Sequence, residues 1–201
     1  MDTPVVVVTG PIASGKSTVA RIIADNGGVL LDADKIANLL LEDRKVRERV
    51  LREFGKKVTD DSGLISREKL GRIVFSDREK LELLNRILYP YLKRRVEEEI
   101  LSVDGSVKYI VLDAVLFFQY KFDFEEKLVV VTRAPENVRK ARLAARDGID
   151  KEEAEKRVRS QRPIYKDWEK GDIVIDTDCS IEEVKDYALK LRADFIDKSV
   201  K

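Results

Sequence analysis

Short runs of apolar residues alternate with amphipathic segments along most of the chain. The run Val5–Val8 is β-branched and uninterrupted, which is typical of a strand buried on both faces. The same pattern predicts strands at Val29–Leu31, Tyr109–Leu112, Leu128–Thr132 and Ile173–Asp176. Segments with helical periodicity separate these strands, so the pattern predicts an α/β domain with three layers and a five-stranded parallel sheet.

A long helical stretch interrupts the series of strands between the second and the third. Its helix candidates cover residues 35–42, 45–54, 67–75, 77–88 and 91–101. Ser66 and Ser76 are the expected N-caps of the third and fourth of these helices. A connection this long exceeds what a strand–helix–strand crossover needs. We therefore expect a helical insertion at residues 35–103, beside a core built from residues 1–34 and 104–201.

Two further helices, near 135–147 and 151–161, follow the fourth strand and contain several arginines. We interpret residues from about 140 to 165 as a mobile lid whose arginines neutralise charge on a transferred group. For most of these arginines a solvated helix face with ion pairs between turns is the simpler explanation. Arg142 and Arg146 are the preferred functional pair, because they lie on the helix directly after the fourth strand.

The segment between the first strand and its helix carries the clearest chemical signal. Residues Gly10–Ser17, called the phosphate loop below, fit G-x-x-x-x-G-K-[ST] at every fixed position and follow a buried strand. The glycines let successive backbone N–H groups point at phosphate oxygens, and the positive end of the next helix faces the same anion. Lys16 reaches the β- and γ-phosphates of ATP, and Ser17 offers its hydroxyl to Mg²⁺.

The motif predicts an ATP-dependent phosphotransferase, with a chance match in an ordinary glycine-containing turn as the alternative. The residues expected to contact ATP are Pro11, Ile12, Ala13, Ser14, Gly15, Lys16, Ser17 and Thr18. The expected cofactors are therefore ATP and Mg²⁺, with Ser17 as the metal ligand.

Acidic residues follow two of the predicted strands. Asp32 and Asp34 lie at the carboxyl edge of the sheet, where α/β proteins bind ligands. One can orient an acceptor hydroxyl or take its proton, and the other can hold a magnesium-bound water. The alternative is an N-cap of the next helix. Asp113 ends the third strand like a magnesium-binding aspartate, but a turn residue explains it equally well and we assign it no catalytic role.

Composition narrows the chemistry and the partners. The 201 residues include 39 basic and 38 acidic ones, and a net charge of +1 gives no electrostatic footprint for nucleic acid or an anionic membrane. The absence of histidine and the single cysteine, Cys179, exclude histidine bases, an internal disulfide and cysteine-rich metal sites. No signal peptide or spanning helix is predicted. We expect a cytoplasmic protein, a monomer or weak homo-oligomer, that acts on small molecules.

Several segments together resemble the dephospho-coenzyme A kinase family, and the likeness extends from residue 5 to about residue 190. The phosphate loop is common to many families, whereas the segment Asp32–Ala37 (Asp-Ala-Asp-Lys-Ile-Ala), followed by a helical insertion, is far more discriminating. The other matching segments are Phe75–Asp77, Leu84–Asn85, Pro135–Glu136, Arg142–Gly148, Gln161 and Asp172–Asp176.

The resemblance implies a phosphate-loop kinase core with a helical acceptor-binding insertion and a helical lid. It implies transfer of the γ-phosphate of ATP to the ribose 3′-hydroxyl of dephospho-CoA, which gives coenzyme A and ADP. It assigns Asp34 as base or orienting carboxylate and Arg142 as a lid contact to phosphate, while Thr9 and Asp32 line the site. We therefore predict Lys16, Asp34 and Arg142 as catalytic residues. The predicted substrate-binding residues are Thr9, Asp32, Asp34 and Arg146.

The chain departs from the family pattern at three places, all near the acceptor or adenine sites. Tyr89-Pro90 stands for His-Pro, Val115–Gln119 for Pro-Leu-Leu-x-Glu, and Thr177 for an Asn after the last strand. A kinase of another small acceptor, such as a nucleoside, a nucleotide or a shikimate-like molecule, therefore stays open as the alternative. A nucleotide switch or an ATPase without acceptor is disfavoured, because the chain has no Asn-Lys-x-Asp segment and no Asp-x-x-Gly after a strand.

Overall fold

A computed structural model describes residues 3–25 and 27–196 of the chain. The predicted core also includes residues 1–2, 26 and 197–201, which lie outside the described residues. No helix within the described ranges is long and apolar enough to cross a membrane.

Within the described residues five strands form one parallel sheet, as the pattern of apolar runs predicted, and their order in it is β2-β3-β1-β4-β5. The strands are β1 (Val5–Thr9), β2 (Gly28–Asp32), β3 (Tyr109–Asp113), β4 (Glu126–Arg133) and β5 (Ile173–Asp176). Since β1 pairs with β3 on one side and β4 on the other, the segments that follow these strands meet at one edge of the sheet.

Helices connect the strands and cover both faces of the sheet. They are α1 (Lys16–Ala24), α2 (Ala33–Leu40), α3 (Arg44–Phe54), α4 (Arg67–Phe75), α5 (Arg78–Ser102), α6 (Glu136–Asp147), α7 (Lys151–Ser160) and α8 (Ile181–Leu191). Val19 of α1 and Val184 of α8 pack with Val6 on one face. Ile36 of α2 and Val96 of α5 belong to the cluster on the other face, which confirms the three-layer prediction.

The helices between β2 and β3 have an apolar cluster of their own. Val46 and Val50 of α3 and Leu70 of α4 pack against Leu84 and Ile87 in the first half of α5. Because these side chains bury one another rather than the sheet, the segment has the separate core that a helical insertion needs. The predicted domain boundaries stay a prediction.

One continuous helix replaces two predicted ones. The helices predicted at 77–88 and 91–101 are joined in α5, with Pro90 inside it. Pro90 removes only one helical N–H donor, while Leu88 on one side and Leu92 on the other are buried in two different apolar clusters. Packing on both sides of the proline therefore outweighs the local tendency of proline to end a helix.

The two predicted N-caps of the insertion had different outcomes. Ser66 caps α4 by accepting a hydrogen bond from the Lys69 N–H, as predicted. The prediction that Ser76 caps the next helix was wrong. The Asp77 carboxylate caps α5, and its negative charge suits the positive end of a helix. The Ser76 hydroxyl instead donates to the Arg72 carbonyl at the end of α4.

Candidate active site

The phosphate loop turns between β1 and α1 through backbone conformations that favour glycine. Gly10 has a φ of 133°, and a side chain there would place its Cβ 2.4 Å from the Thr132 carbonyl oxygen. Gly15 has a φ of 85° and precedes the first helical residue, Lys16. The loop therefore wraps closely around the start of α1, whose first-turn N–H groups face the concave side that binds anions.

Hydrogen bonds from buried hydroxyl groups fix the phosphate loop in place. The Ser14 Oγ lies 2.6 Å from the Thr132 Oγ1, and the Thr177 hydroxyl donates to the Ser14 carbonyl at 2.8 Å. Thr9, a predicted substrate-binding residue, is buried and donates through its hydroxyl to the Val115 carbonyl at 3.3 Å. In this structure the side chains of Thr9 and Ser14 support the loop. Thr177, which departs from the family pattern, supports the loop as well.

Asp113 at the end of β3 meets the phosphate loop. The Ser17 hydroxyl donates to the Asp113 Oδ2 at 2.6 Å, and only 3% of Asp113 is exposed. Burial raises the pKa of Asp113, while the nearby Lys16 charge and the Ser17 hydrogen bond oppose that rise. The sequence allowed both a magnesium-binding aspartate and a turn residue at position 113, and the contact with Ser17 places Asp113 at the site.

The Ser17–Asp113 pair has the donor chemistry of a magnesium site. The Asp113 Oδ1 is buried and has no hydrogen-bond partner within the described residues. Magnesium prefers oxygen ligands and is commonly held by one or two protein groups together with phosphates and water. No group of three or more His, Cys, Asp or Glu side chains forms a metal cluster in the part of the chain that the structure describes. The residues present fit a magnesium ion that arrives with the triphosphate.

Asp32 and Asp34 have different positions at the start of α2. The Asp32 Oδ1 accepts from the Lys35 N–H at 2.9 Å and is the N-cap of the helix. Asp34 lies in the first turn of α2, so its carboxylate is not needed for capping. The N-cap alternative therefore applies to Asp32.

The Asp34 carboxylate lies at the centre of the charged groups of the site. Burial at the floor of the cleft raises its pKa, and the positive charge of Lys16 lowers it. Asp113 and Asp32 raise its pKa further, whereas Arg146 lowers it. Although the surrounding protein atoms desolvate its carboxyl group, Asp34 as a residue is exposed to the open cleft and is accessible to a ligand.

Of the two arginines of α6 that the sequence singled out, Arg146 lines the cleft at the phosphate loop and Arg142 does not. Arg142 donates from Nη2 to the Thr177 carbonyl at 2.7 Å, on the segment after β5. The Arg146 guanidinium pairs with Asp147 at 2.7 Å and lines the cleft near Asp34. The predicted roles of both arginines stay predictions.

One cleft of about 600 Å³ lies between the phosphate loop, α2, α4 and α5 on one side and α6 and α7 on the other. Six of the residues that line it are Lys16, Ser17, Asp34, Phe75, Arg146 and Gln161. Below it is called the central cleft. Its wall on the side of α4 and α5 combines apolar residues such as Val74, Leu81 and Leu84 with polar ones such as Arg78 and Asn85, whereas its floor is charged. Such a cleft fits a large acceptor that presents a hydroxyl to the phosphate loop.

A parallel sheet with a Gly-x-x-x-x-Gly-Lys-Ser loop and a carboxylate beside the loop lysine defines a phosphate-loop kinase of a small acceptor. The chain belongs to the dephospho-CoA kinase family, whose model matches residues 4–183.

Relatives and solved structures agree with this family. The dephospho-CoA kinase of Carboxydothermus hydrogenoformans is 38% identical over 190 residues, which cover 94% of this chain and 92% of the relative. A crystal structure of a Thermus thermophilus protein has a TM-score of 0.74 and 28% identity, and covers 96% of this chain and 98% of its own. The dephospho-CoA kinase from Campylobacter jejuni has a TM-score of 0.63 and 26% identity, covering 97% and 98%.

Proposed function

We propose that the phosphate loop holds the triphosphate of ATP and that the central cleft holds dephospho-CoA. The activity, phosphorylation of dephospho-CoA to coenzyme A with ATP as the donor, follows from the family to which the chain belongs. The observation that carries the assignment of residues is the Asp34 carboxylate, which lies in the same cleft as Lys16 and Ser17.

On the donor side, charge neutralisation is the main task of the protein. Lys16 is 7% exposed at the start of α1, where its ammonium is placed to follow the β- and γ-phosphates. Arg146 approaches from the lid and adds positive charge on the side of the acceptor. Ser17 and Asp113 would hold Mg²⁺, which neutralises charge on the phosphates when it is bound.

On the acceptor side, Asp34 is the group that can receive a proton. The 3′-hydroxyl of dephospho-CoA passes its proton to the Asp34 carboxylate while its oxygen forms a bond to the γ-phosphorus. The bond from that phosphorus to the β–γ bridging oxygen breaks, and its electron pair leaves with ADP. Asp32, which caps α2, contributes negative charge behind Asp34 rather than a second base.

The setting of the enzyme belongs to the same proposal. A single cysteine and a nearly neutral charge suit a cytoplasmic monomer or weak homo-oligomer without nucleic-acid partners. Sedimentation analysis over a range of concentrations measures the oligomeric state, and a tight oligomer would contradict this part.

The sharpest test compares two neighbouring aspartates. Asp34→Asn should lower kcat by about 10²–10⁴-fold, the usual contribution of a general base, with little change in ATP affinity. Asp32→Asn is the matched control, because Asn caps a helix about as well as Asp, and we expect a much smaller loss. Equal losses in the two variants would remove Asp34 from the role of base.

A panel of nucleosides, nucleotides and shikimate offered with ATP tests the alternative acceptors directly.

A further inference from the structure

The lid is packed onto the phosphate loop itself. Leu143 of α6 and Ala154 and Val158 of α7 form a small buried cluster. Two residues of the phosphate loop, Ile12 and Ala13, pack against this cluster. The lid and the loop therefore share one apolar core, although they are far apart in sequence.

A polar contact reinforces this core. The Gln161 Oε1 accepts a hydrogen bond from the Ile12 N–H at 2.7 Å. Gln161 is the C-cap of α7 and lines the central cleft, so its side chain bridges the end of the lid helix and the loop that is to hold the triphosphate. Two interactions therefore fix Ile12: its side chain packs against the apolar cluster of the lid, and its N–H donates to Gln161.

The residue next to Ile12 shows why this loop needs an external support. Ala13 has a φ of 60°, in the left-handed region that residues other than glycine seldom adopt. A phosphate loop works only if its N–H groups are already aimed at the phosphates before the reaction begins. A fixed acceptor on the Ile12 N–H restrains the chain immediately before the strained residue.

We propose that Gln161 is a positioning residue that couples the lid to the shape of the phosphate loop. The proposal rests on the function proposed above for that loop. When Gln161 holds Ile12, the loop is aligned for transfer and the lid stays close to the central cleft, which keeps water away from the γ-phosphate. Without this hydrogen bond the loop and the lid move independently, and water gains access.

The expected side reaction is hydrolysis of ATP. A water oxygen forms a bond to the γ-phosphorus and loses its protons to the solvent, while the bond to the bridging oxygen breaks. ADP and inorganic phosphate are the products, and no coenzyme A forms. The ratio of phosphate released to coenzyme A formed therefore reports how well the lid and the loop are coupled.

The test uses Gln161→Met, which keeps the length of the side chain but loses the oxygen, and Gln161→Glu, which keeps an acceptor oxygen. For Gln161→Met we expect kcat for coenzyme A to fall roughly three- to tenfold, as the loss of one hydrogen bond predicts, and the phosphate ratio to rise. Hydrogen exchange at the Ile12 N–H in the nucleotide-free protein should quicken by about tenfold or more. Gln161→Glu should keep the exchange protection and the low phosphate ratio.

Arg159→Met on the exposed side of α7 is the control for inserting methionine into the lid, and we expect wild-type values for it. Unchanged exchange at Ile12 in Gln161→Met, or equal effects of the Met and Glu substitutions on the phosphate ratio, would overturn the coupling role. Lys16→Ala separates the two proposals. Full activity in that variant would refute the function of the loop, whereas a wild-type Gln161→Met refutes only the coupling.

Discussion

Asp32 and Asp34 show how two identical side chains two positions apart take on different tasks. Asp32 is bound to the Lys35 N–H, whereas Asp34 faces Lys16 and Arg146 across the central cleft. The sequence predicted that one of the pair would act on the acceptor, but either could have been the N-cap. The distinction depends on α2 beginning at Ala33, two residues before the predicted start.

The raised pKa of Asp34 predicts the pH dependence of the enzyme. A base must be deprotonated, and burial raises the pKa of Asp34 above its ordinary value of 3.8 despite the opposing charge of Lys16. The rate should therefore fall as pH decreases through this raised pKa, starting at a higher pH than for an ordinary aspartate. A pH profile of kcat checks this, and the acidic fall should vanish in Asp34→Asn. An identical acidic fall in the variant would assign it to another group.

The contact between Ser17 and Asp113 predicts the metal requirement. Asp113→Asn keeps the size of the side chain and a hydrogen-bonding oxygen but removes the charge that attracts Mg²⁺. We expect the Mg²⁺ concentration for half-maximal rate to rise by about tenfold or more, with partial rescue at high Mg²⁺. Titrations of the rate with Mg²⁺ at fixed ATP measure this. A wild-type titration curve would exclude Asp113 from the metal site.

Among the helices and strands, local pattern predicted most of what the structure contains. The strand at Ile173–Asp176 and the helix at Arg67–Phe75 have the predicted bounds, because their periodicity and caps are contained in the segments themselves. The break predicted near Pro90 is absent, because packing against two clusters keeps α5 continuous. Local propensity determines where a helix begins and ends only where tertiary contacts do not override it.

The contacts that complete the site were beyond the reach of local pattern. Ser17 and Asp113 are 96 positions apart, and Ile12 and Gln161 are 149 positions apart. They meet because β1 lies between β3 and β4, and periodicity does not specify the order of strands in a sheet. Asp113 carried a weak signal as a strand-end aspartate, and Gln161 carried one only through the family resemblance.

Tyr89 on α5 links the insertion to the segment after β3. Its hydroxyl donates to the Lys121 carbonyl and accepts from the Lys121 N–H, both at 2.9 Å, and its ring stacks on Tyr120 at 4.5 Å. The preceding residues Val115 and Leu116 line the central cleft, so this link helps to place its wall. The departure from the family's His-Pro pattern therefore supplies a structural link.

Tyr89→Phe should remove this link and keep the stacked ring. We expect the free energy of unfolding to fall by about 1 kcal/mol and the KM for dephospho-CoA to rise a few-fold, with the KM for ATP unchanged. Urea denaturation and steady-state kinetics measure these effects. Tyr91→Phe is the control, because it keeps the ring that faces Arg49. A selective rise in the KM for ATP would contradict this role of Tyr89.

The complete fold combines an ordinary apolar core with an unusually charged surface. Charged residues make up 38% of the chain, with only two Gln and four Asn, a composition that resembles heat-adapted proteins. Many of the charges form ion pairs one helical turn apart, such as Arg94 with Glu98 and Arg95 with Glu99. Isolated pairs of this kind contribute little at 25 °C, but arrays of them matter more at high temperature.

This surface predicts a high melting temperature. We expect a midpoint above about 65 °C, beyond the usual range of mesophilic domains. Differential scanning calorimetry of the nucleotide-free protein measures it without the stabilisation that a bound ligand adds. A midpoint near about 50 °C would show that the charged surface serves another purpose.

The most direct test of the central claim is a crystal structure with Mg²⁺, dephospho-CoA and a non-hydrolysable ATP analogue. The triphosphate should lie on the backbone N–H groups that follow Ile12 in the phosphate loop, with the Lys16 ammonium on its β- and γ-phosphates. The ribose 3′-hydroxyl should lie about 2.6–3.2 Å from the Asp34 carboxylate. A triphosphate bound elsewhere, or a 3′-hydroxyl on the far side of the central cleft from Asp34, would contradict it.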